Sequence, residues 1–288
     1  ILLCKHLVGK VVIVTGSNIG IGYETAKDLA ERGARVIITS IDDALGIAAR
    51  DKIIKETGNK DVHYYFLDLS LFDSVRKFSD NILKTETRLD VLVNNAGIYF
   101  SENIKTQDGI LQGLQINYFG PFLLTNLLLP LLRSSAPSRI VNVASMMHNG
   151  KLNLNDVKME NVSFRSSSVY QTSKLYTIMT TIEMARRLNG TGVTVNCLHP
   201  GVVNTGIIYG SKINKSLLHF FLPVFKQFVK SSWEGAQTSI YLAVSPNVDG
   251  ISGQYFSDCL VKETNKKLHD EKSASKLWEI SEAIVKLK

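Results

Sequence analysis

Short runs of β-branched and other apolar residues alternate along the chain with longer segments whose apolar residues recur at helical spacing. The runs that predict strands are Val11–Val14, Val36–Thr39, Val62–Phe66, Val91–Val93, Ile140–Val143, Val193–Cys197 and Gln254–Phe256. The segments that predict crossover helices are Tyr23–Arg32, Leu71–Lys84, Leu111–Leu132 and Tyr170–Leu188. Because the runs are almost continuously apolar, we expect strands buried on both faces. The repetition of strand, helix and strand predicts an α/β fold with a doubly wound parallel sheet.

The chain carries no sign of a boundary between domains. Its 288 residues contain no repeat, low-complexity tract or Pro/Ser-rich linker, which favours a single domain over residues 1–288. The stretch at about residues 206–232 is apolar and basic, and it breaks the alternation of strands and helices. We expect this stretch to be an insertion that lies over the sheet.

Composition narrows the class of protein. With 44% apolar residues, the chain can bury a large core without disulfide bonds. Its cysteines, Cys4, Cys197 and Cys259, are far apart and odd in number, which favours a reducing compartment. The net charge of +7 fits anionic ligands or a membrane surface, but the basic residues form no cluster that would support nucleic-acid binding. His148 and His199 have no cysteine or carboxylate at ligand spacing, so no metal site is expected.

The hydropathy pattern also bears on location. No stretch is apolar for the roughly 20 residues that a membrane-spanning helix needs. The first four residues, Ile1–Cys4, fit the end of an apolar anchor and a frayed start equally well. We expect an intracellular protein, either cytoplasmic or on a cytosolic or organelle membrane surface, which includes the endoplasmic reticulum if an anchor precedes Ile1.

A glycine-rich turn follows the first predicted strand. Residues 15–22 read Thr-Gly-Ser-Asn-Ile-Gly-Ile-Gly, a spacing that brings backbone amides and a helix N-terminus close to a pyrophosphate. A tight turn without a ligand is the alternative. Asp68, after the third strand, fits either a hydrogen bond to an adenine amino group or a helix cap.

Two further motifs carry candidate chemistry. Asn94–Gly97 puts small residues and amides at the carboxyl edge of the sheet, where open α/β folds bind ligands. Tyr170 and Lys174 are four residues apart and share one helix face. An ammonium group beside a phenol lowers the phenol's pKa, which suits general acid/base catalysis near neutral pH. A plain turn and a solvated helix face are the respective alternatives.

The order of these motifs resembles that of the short-chain dehydrogenase/reductase family over nearly the whole chain. The matching motifs are Thr15–Gly22, Asn94–Gly97, Ser145, Tyr170 with Lys174, and Pro200–Gly201. Their surroundings resemble the retinol dehydrogenase group at residues 33–37, 117–125, 199–203, 234–238 and 253–258. The resemblance implies a Rossmann-like fold and an NAD(P)-dependent oxidoreductase. Its reaction would interconvert an alcohol and a carbonyl on an apolar substrate. The substrate class that the resemblance favours most is retinol and retinal or a related isoprenoid.

Two alternatives to that function stay open. One is a steroid or xenobiotic carbonyl reductase. The other is a non-catalytic protein that binds the cofactor as a regulator or scaffold, although the joint presence of Ser145, Tyr170 and Lys174 argues against it.

The resemblance also implies roles for individual residues. Ser145 would donate a hydrogen bond to the substrate oxygen, and Tyr170 would exchange a proton with it. Lys174 would lower the pKa of Tyr170 and bind the nicotinamide ribose, while Asn117 would hold a water that links the lysine to solvent. The insertion at about 206–232 would be a lid that covers the substrate. Its apolar and basic character fits a membrane surface, and a homodimer contact fits it as well.

Cofactor-binding positions follow from the same resemblance. They are Gly16, Ser17, Asn18, Ile19, Gly20, Ile21, Ser40, Ile41, Asp68, Leu69, Asn94, Ala96, Gly97, Tyr170, Lys174, Pro200, Gly201, Val203 and Thr205. The chain departs from the family after the second strand, where Ser40 replaces the acid of NAD-preferring relatives and Ile41 replaces an expected arginine. Since both signals are missing, we expect only a modest preference for NADP(H) over NAD(H).

Overall fold

The strands of the sheet are β1 (Val11–Val14), β2 (Arg35–Ser40), β3 (Val62–Phe66), β4 (Val91–Asn94), β5 (Ser138–Val143), β6 (Val193–His199), β7 (Tyr255–Ser257) and β8 (Leu260–Val261). The computed structural model describes residues 6–203 and 229–287, and within them the strand order is β3-β2-β1-β4-β5-β6-β7-β8. The first seven strands are parallel and β8 pairs antiparallel with β7. The protein is therefore a single α/β domain with a doubly wound sheet, as the hydrophobic pattern predicts.

The helices are α1 (Gly20–Glu31), α2 (Asp43–Thr57), α3 (Phe72–Thr85), α4 (Gln112–Leu114), α5 (Gly120–Ser134), α6 (Ser166–Arg187), α7 (Ser232–Val244) and α8 (Glu271–Ile284). A π-helical turn, Gln115–Phe119, joins α4 to α5 without a break. β1 and β4 are neighbours in the sheet, and the connection from β1 runs to β2 whereas that from β4 runs to β5, so the two connections leave the carboxyl edge in opposite directions. Ligands of open α/β sheets bind in the crevice at such a reversal.

A separate hydrophobic core fills each face of the sheet. Ile13 packs on one face with Leu92 and Phe119. Val12 points to the opposite face, where it joins the cluster that includes Leu29 of α1. Each of these side chains is fully shielded from solvent, because alternate residues of a strand point to opposite faces and helices cover both.

The edges of the sheet differ from the prediction. The expectation of burial on both faces is wrong for β3, in which Val62 is buried but Phe66 is 48% exposed. β3 is an edge strand, so helices and neighbouring strands cover it on fewer sides than β1. The short strand β8 was not predicted, since two exposed residues, Leu260 and Val261, give no periodic signal.

The C-terminal helix α8 packs against the outer surface of α5 and α6. The Trp278 ring lies 4.8 Å from the Phe122 ring, edge to face. The Tyr118 hydroxyl and Ser281 Oγ form a buried hydrogen bond of 2.7 Å. On α6, which carries part of the candidate site, the Arg187 guanidinium lies 4.8 Å from the centre of the same Trp278 ring.

In the part of the chain that the structure describes, no helix is both long enough and apolar enough to cross a membrane. Residues 206–228 of the expected insertion lie outside the described residues. Its last residues are described: Lys230 pairs with Val203 in a short parallel bridge, and Ser231 begins α7 as an N-cap.

Candidate active site

The glycine-rich turn between β1 and α1 has the conformation that its glycines predict. Gly16 and Gly20 have φ angles of +60° and +64°, in the left-handed region where side chains are strained. A Cβ atom on Gly16 would lie 2.8 Å from Cβ of Ala96. The turn therefore approaches the end of β4 so closely that only glycine fits.

Asn95 braces this turn from β4. Its Nδ2 donates hydrogen bonds to the carbonyl oxygens of Thr15 and Gly16, at 2.8 and 3.1 Å. In return, the amides of Asn95 and Ala96 both donate to Thr15 Oγ1 at 3.0 Å. The bracing role of Thr15 and Asn95 was not predicted, although the doubled asparagine before Ala96 was a signal for it.

Other residues of the turn divide into inward-facing and outward-facing positions. Ser17 is fully buried, where its hydroxyl donates to Val14 O at 2.6 Å and accepts from the Thr39 amide at 3.1 Å. Asn18 is half-buried, and Ile19 is 60% exposed. Ile19 is the N-cap residue of α1 and makes no side-chain cap. The first amides of α1 therefore have no side-chain acceptor from that residue, which suits a helix N-terminus that receives an anion.

The end of β2 holds the residues expected to choose the cofactor. Ser40 Oγ accepts a hydrogen bond from the Asp42 amide at 3.0 Å, and Ile41 is 70% exposed. The Asp42 carboxylate accepts from the Leu45 amide at 2.9 Å and so caps α2. A fixed negative charge thus lies one residue from Ile41.

At the end of β3, Asp68 Oδ1 accepts hydrogen bonds from the amide and the hydroxyl of Ser70, at 2.8 and 2.6 Å. The N-cap residue of α3 is Leu71, so Asp68 is not the cap itself. Its carboxylate instead shapes the turn that precedes α3. Leu69, next to it, is buried.

Asn117 lies in the π-helical turn and faces the end of β4. Its Oδ1 accepts from the Ile98 amide and its Nδ2 donates to the Ile98 carbonyl, both at 2.8 Å. The same Nδ2 approaches Ser173 Oγ on α6 at 3.3 Å. A Cβ atom on Gly97 would lie 3.1 Å from Asn117 Oδ1 and 3.6 Å from Lys174 Nζ. A side chain at Gly97 would therefore press against both polar groups, and glycine lets them approach the end of β4.

Asn94, the last residue of β4, is buried and donates to Thr125 Oγ1 at 2.9 Å and to Asn142 Oδ1 at 2.8 Å. Its own Oδ1 is buried without a hydrogen-bond partner among the described residues. The residue thus links β4 to β5 and α5.

Ser145 and Tyr170 meet where β5 ends and α6 begins. Ser145 is buried, its Oγ accepts from the Met147 amide at 3.1 Å, and it forms a hydrogen bond with Tyr170. Burial raises the pKa of Tyr170 above its usual value, although the Ser145 hydrogen bond opposes this shift. The Tyr99 ring packs edge to face on Tyr170 at 4.8 Å. At neutral pH the phenol is therefore protonated.

Lys174 is buried one helical turn after Tyr170. Its Nζ donates to the Val143 carbonyl at 2.8 Å and lies 5.5 Å from the centre of the Tyr170 ring. Burial lowers the pKa of Lys174 to about 8. The expected lowering of the Tyr170 pKa by this lysine is not found, because the ammonium points to a strand carbonyl and desolvation of the phenol prevails.

The loop after β6 completes the carboxyl edge of the sheet. Pro200 is half-buried, Gly201 has a φ of +91°, and Val203 is buried. Thr205, the last predicted cofactor residue, lies outside the described residues. Before the loop, burial and the charge of Lys230 lower the pKa of His199 to about 4, so this imidazole is neutral.

The structure therefore gathers Asn117, Ser145, Tyr170 and Lys174 around Gly97 and the ends of β4 and β5. The glycine-rich turn, Asn94, Ala96 and the Pro200–Val203 loop lie along the same edge of the sheet. Ser40, Ile41, Asp68 and Leu69 follow β2 and β3, farther along that edge. Together these residues follow one continuous carboxyl edge, called the crevice below because open α/β folds bind their ligands there, with an acid/base cluster near one end.

Comparisons with known proteins agree with this geometry. The sequence model of the family described as short chain dehydrogenase matches residues 10–214. Retinol dehydrogenase 14 of Homo sapiens is 46% identical, over 97% of this chain and 87% of that relative. Retinol dehydrogenase 12 of Bos taurus is 42% identical, over 96% of this chain and 86% of that relative.

Solved structures share the fold. An uncharacterised protein of Mycobacterium paratuberculosis superposes with a TM-score of 0.77 at 29% identity, over 97% of this chain and 94% of its own. The RhlG/NADP active-site complex of Pseudomonas aeruginosa superposes with a TM-score of 0.70 at 24% identity, over 89% of this chain and 97% of its own. The predicted family and fold are both confirmed, and the chain belongs to the short-chain dehydrogenase family as an oxidoreductase similar to the retinol dehydrogenases.

Proposed function

We propose that this protein interconverts an alcohol and a carbonyl on an apolar substrate, with NAD(P)(H) as the cofactor and retinol and retinal or a related isoprenoid as the first substrate class. The observation that carries the proposal is the cluster of Ser145, Tyr170 and Lys174 beside Gly97, where the lack of a side chain lets Lys174 approach the end of β4. The relatives named retinol dehydrogenases support the substrate class.

The residues of the crevice fit a dinucleotide. Gly16 leaves no room for a side chain where the turn meets Ala96, and α1 begins without a side-chain cap. The pyrophosphate would lie at this N-terminus, and the nicotinamide end would lie near Lys174 and the Pro200–Val203 loop. When bound, the reduced cofactor supplies the hydride.

The acid/base cluster acts on the substrate oxygen. Because burial keeps Tyr170 protonated at neutral pH, its phenol can donate the proton that turns the carbonyl oxygen into an alcohol. Ser145 stabilises the negative charge that grows on that oxygen by donating a hydrogen bond. In the oxidative direction the same phenol oxygen must accept the proton, which its raised pKa disfavours. At neutral pH the cluster is therefore in the protonation state that carbonyl reduction requires.

In this proposal the protein discriminates weakly between the two cofactors, with a modest preference for NADP(H). Ser40 is small and leaves room for a 2′-phosphate, and the helix N-terminus of α2 favours an anion. The Asp42 carboxylate opposes that charge, and the exposed Ile41 supplies no counter-charge. These contributions nearly cancel.

The apolar substrate would enter beside the loop after β5, where Met146 is 56% exposed next to Ser145. Membrane-surface association and a homodimer, each through the apolar and basic segment at 206–232, also belong to this proposal. An apolar substrate partitions into lipid, so a site at an intracellular membrane surface would meet it there.

Turnover assays test the proposed function. Purified protein is incubated with retinal, a steroid ketone or a short aliphatic aldehyde, each with NADPH and with NADH, and oxidation of the cofactor is followed. We expect turnover of retinal above that of the short aldehyde. Cofactor binding without turnover of any carbonyl would contradict the proposed enzymatic function and favour the non-catalytic scaffold alternative.

A further inference from the structure

The side chain of Lys230 lies across the backbone of Gly201. A Cβ atom on Gly201 would lie 2.7 Å from Lys230 Cδ and 3.2 Å from its Nζ. Gly201 also has a φ of +91°, so the loop both requires glycine conformationally and uses its lack of a side chain to admit the lysine. The lysine stem thus covers the loop that follows β6.

Backbone contacts tie Lys230 to the same loop. Its amide donates to the Val202 carbonyl at 2.8 Å, and it forms a parallel bridge with Val203. Val203 in turn packs toward α7 and α1, because a Cβ atom on Gly235 would lie 2.6 Å from Val203 Cγ2 and 3.2 Å from Ile21 Cγ1. The loop is therefore held between Lys230 on one side and the start of α1 on the other.

The ammonium group of Lys230 is anchored by Asp258. The two side chains form an ion pair, and this contact lowers the pKa of the Asp258 carboxyl. Asp258 and Cys259 form the turn between β7 and β8 with φ angles of 54° and 61°. This backbone conformation is strained for residues other than glycine. Ser257 Oγ donates to Asp258 Oδ2 at 3.1 Å, and the Cys259 amide donates to Thr238 Oγ1 at 3.3 Å. The carboxylate is thus fixed in place by its own turn.

We propose that Lys230 is a positioning residue for the nicotinamide end of the cofactor: held by Asp258, it sets the Pro200–Val203 loop. This inference rests on the proposed function, since it assumes that the loop receives the nicotinamide. The ion pair is partly exposed, with side-chain exposures of 32% for Lys230 and 61% for Asp258. Such pairs contribute little to stability, so breaking it should shift the loop without unfolding the protein.

Binding measurements with a whole cofactor and with a fragment separate this role from a general defect. Isothermal titration calorimetry is carried out with NADPH and with 2′-phospho-ADP-ribose, which lacks the nicotinamide. We expect Lys230→Met to weaken NADPH binding about fivefold, the upper range for an exposed ion pair, and to leave fragment binding within about twofold. The KM for NADPH should rise by a similar factor, and Lys230→Arg should restore most of the affinity.

Asp258→Asn distinguishes positioning from direct contact with the cofactor. If Lys230 acts through the loop, Asp258→Asn weakens NADPH binding as Lys230→Met does. If the ammonium binds the cofactor itself, freeing it from Asp258 leaves NADPH affinity unchanged or higher, which contradicts the proposal. Lys276→Met is the matched control, because Lys276 forms an exposed ion pair with Glu279 on α8. It should change neither affinity.

Two further outcomes are decisive. Equal loss of NADPH and fragment affinity in Lys230→Met would overturn the positioning role while leaving the proposed function intact. If the unaltered protein binds neither NADPH nor NADH, the proposed function fails and this inference fails with it.

Discussion

The two ends of the crevice are built in different ways. At the proposed catalytic end, Ser145, Tyr170 and Lys174 are buried or half-buried, and hydrogen bonds within the protein fix Ser145 and Lys174. At the end proposed for the adenosine, the chain presents Ile41 with 70% of its surface exposed. Buried, hydrogen-bonded groups are costly to replace, whereas an exposed side chain can change at little cost to stability. Substitutions at the proposed catalytic end should therefore be costly. At the other end, a single substitution should be enough to change the cofactor preference.

Tyr170→Phe gives the largest expected effect and tests the catalytic end most severely. It removes the exchangeable proton and almost no volume, so kcat should fall by about 10² to 10⁴ while cofactor affinity stays nearly constant. Steady-state kinetics measure kcat, and a cofactor titration measures the affinity. Tyr99→Phe is the control, because its ring packs on Tyr170 and we assign it no proton transfer. Activity of Tyr170→Phe within about tenfold of the parent would reject the acid/base role.

The pH dependence of turnover tests the same end of the crevice, through the charge of Lys174. Burial lowers the pKa of Lys174 to about 8, so its ammonium is present below that pH and is lost as the pH rises through it. We expect kcat/KM for carbonyl reduction to fall about tenfold per pH unit above that break. The Tyr170 pKa is raised, so the phenol remains protonated over this range and does not cause the fall. A flat profile from pH 7 to about 9.5 would show that the charge of Lys174 is not needed.

Gly16→Ala tests the middle of the crevice, where the glycine turn meets β4. The substitution puts a methyl group at a φ of +60° and 2.8 Å from Cβ of Ala96. We expect unfolding free energy to fall by about 2 kcal/mol and cofactor affinity to fall with it. Gly58→Ala is the matched control, because its φ is +70° but nothing lies within 4 Å of the added atom. Equal changes in Tm for both variants would mean that backbone strain alone, and not the close approach, matters.

Ile41→Arg gives the smallest effect and tests the adenosine end. A guanidinium there would pair with a 2′-phosphate, so the ratio of kcat/KM for NADPH to that for NADH should rise about fivefold, as for an exposed ion pair. Ile41→Gln, which is polar but uncharged, should leave the ratio near its starting value. An unchanged ratio in the arginine variant would place the cofactor phosphate elsewhere, and would remove the contrast between the two ends.

Features that depend on the local pattern of residues could be predicted from the sequence. The run Val11–Val14 matches a strand with the same bounds, because a buried strand needs continuous apolar residues. The run Val62–Phe66 also has the predicted bounds, although β3 is an edge strand that is only partly buried. The motifs at Tyr170 and Thr15 were recognisable because helix spacing and turn geometry restrict which residues can stand there.

Features that depend on packing between distant segments were not predictable. Asn95 looks like a turn residue in the sequence, and only the approach of β4 to the glycine turn makes it a brace. The π-helical turn at Asn117 has no hydrophobic periodicity of its own. The direction of the Tyr170 pKa shift depends on burial and on where Lys174 points, and neither follows from a spacing of four residues.

The strand β8 has a consequence for behaviour in concentrated solution. The outer edge of a sheet presents unpaired amides and carbonyls, which can recruit a strand from another molecule. Here that edge is closed by two residues, Leu260 and Val261, that run opposite to all the strands before them. So short a strand offers almost no template for intermolecular pairing. This hairpin therefore protects the long parallel sheet from edge-to-edge aggregation on that side.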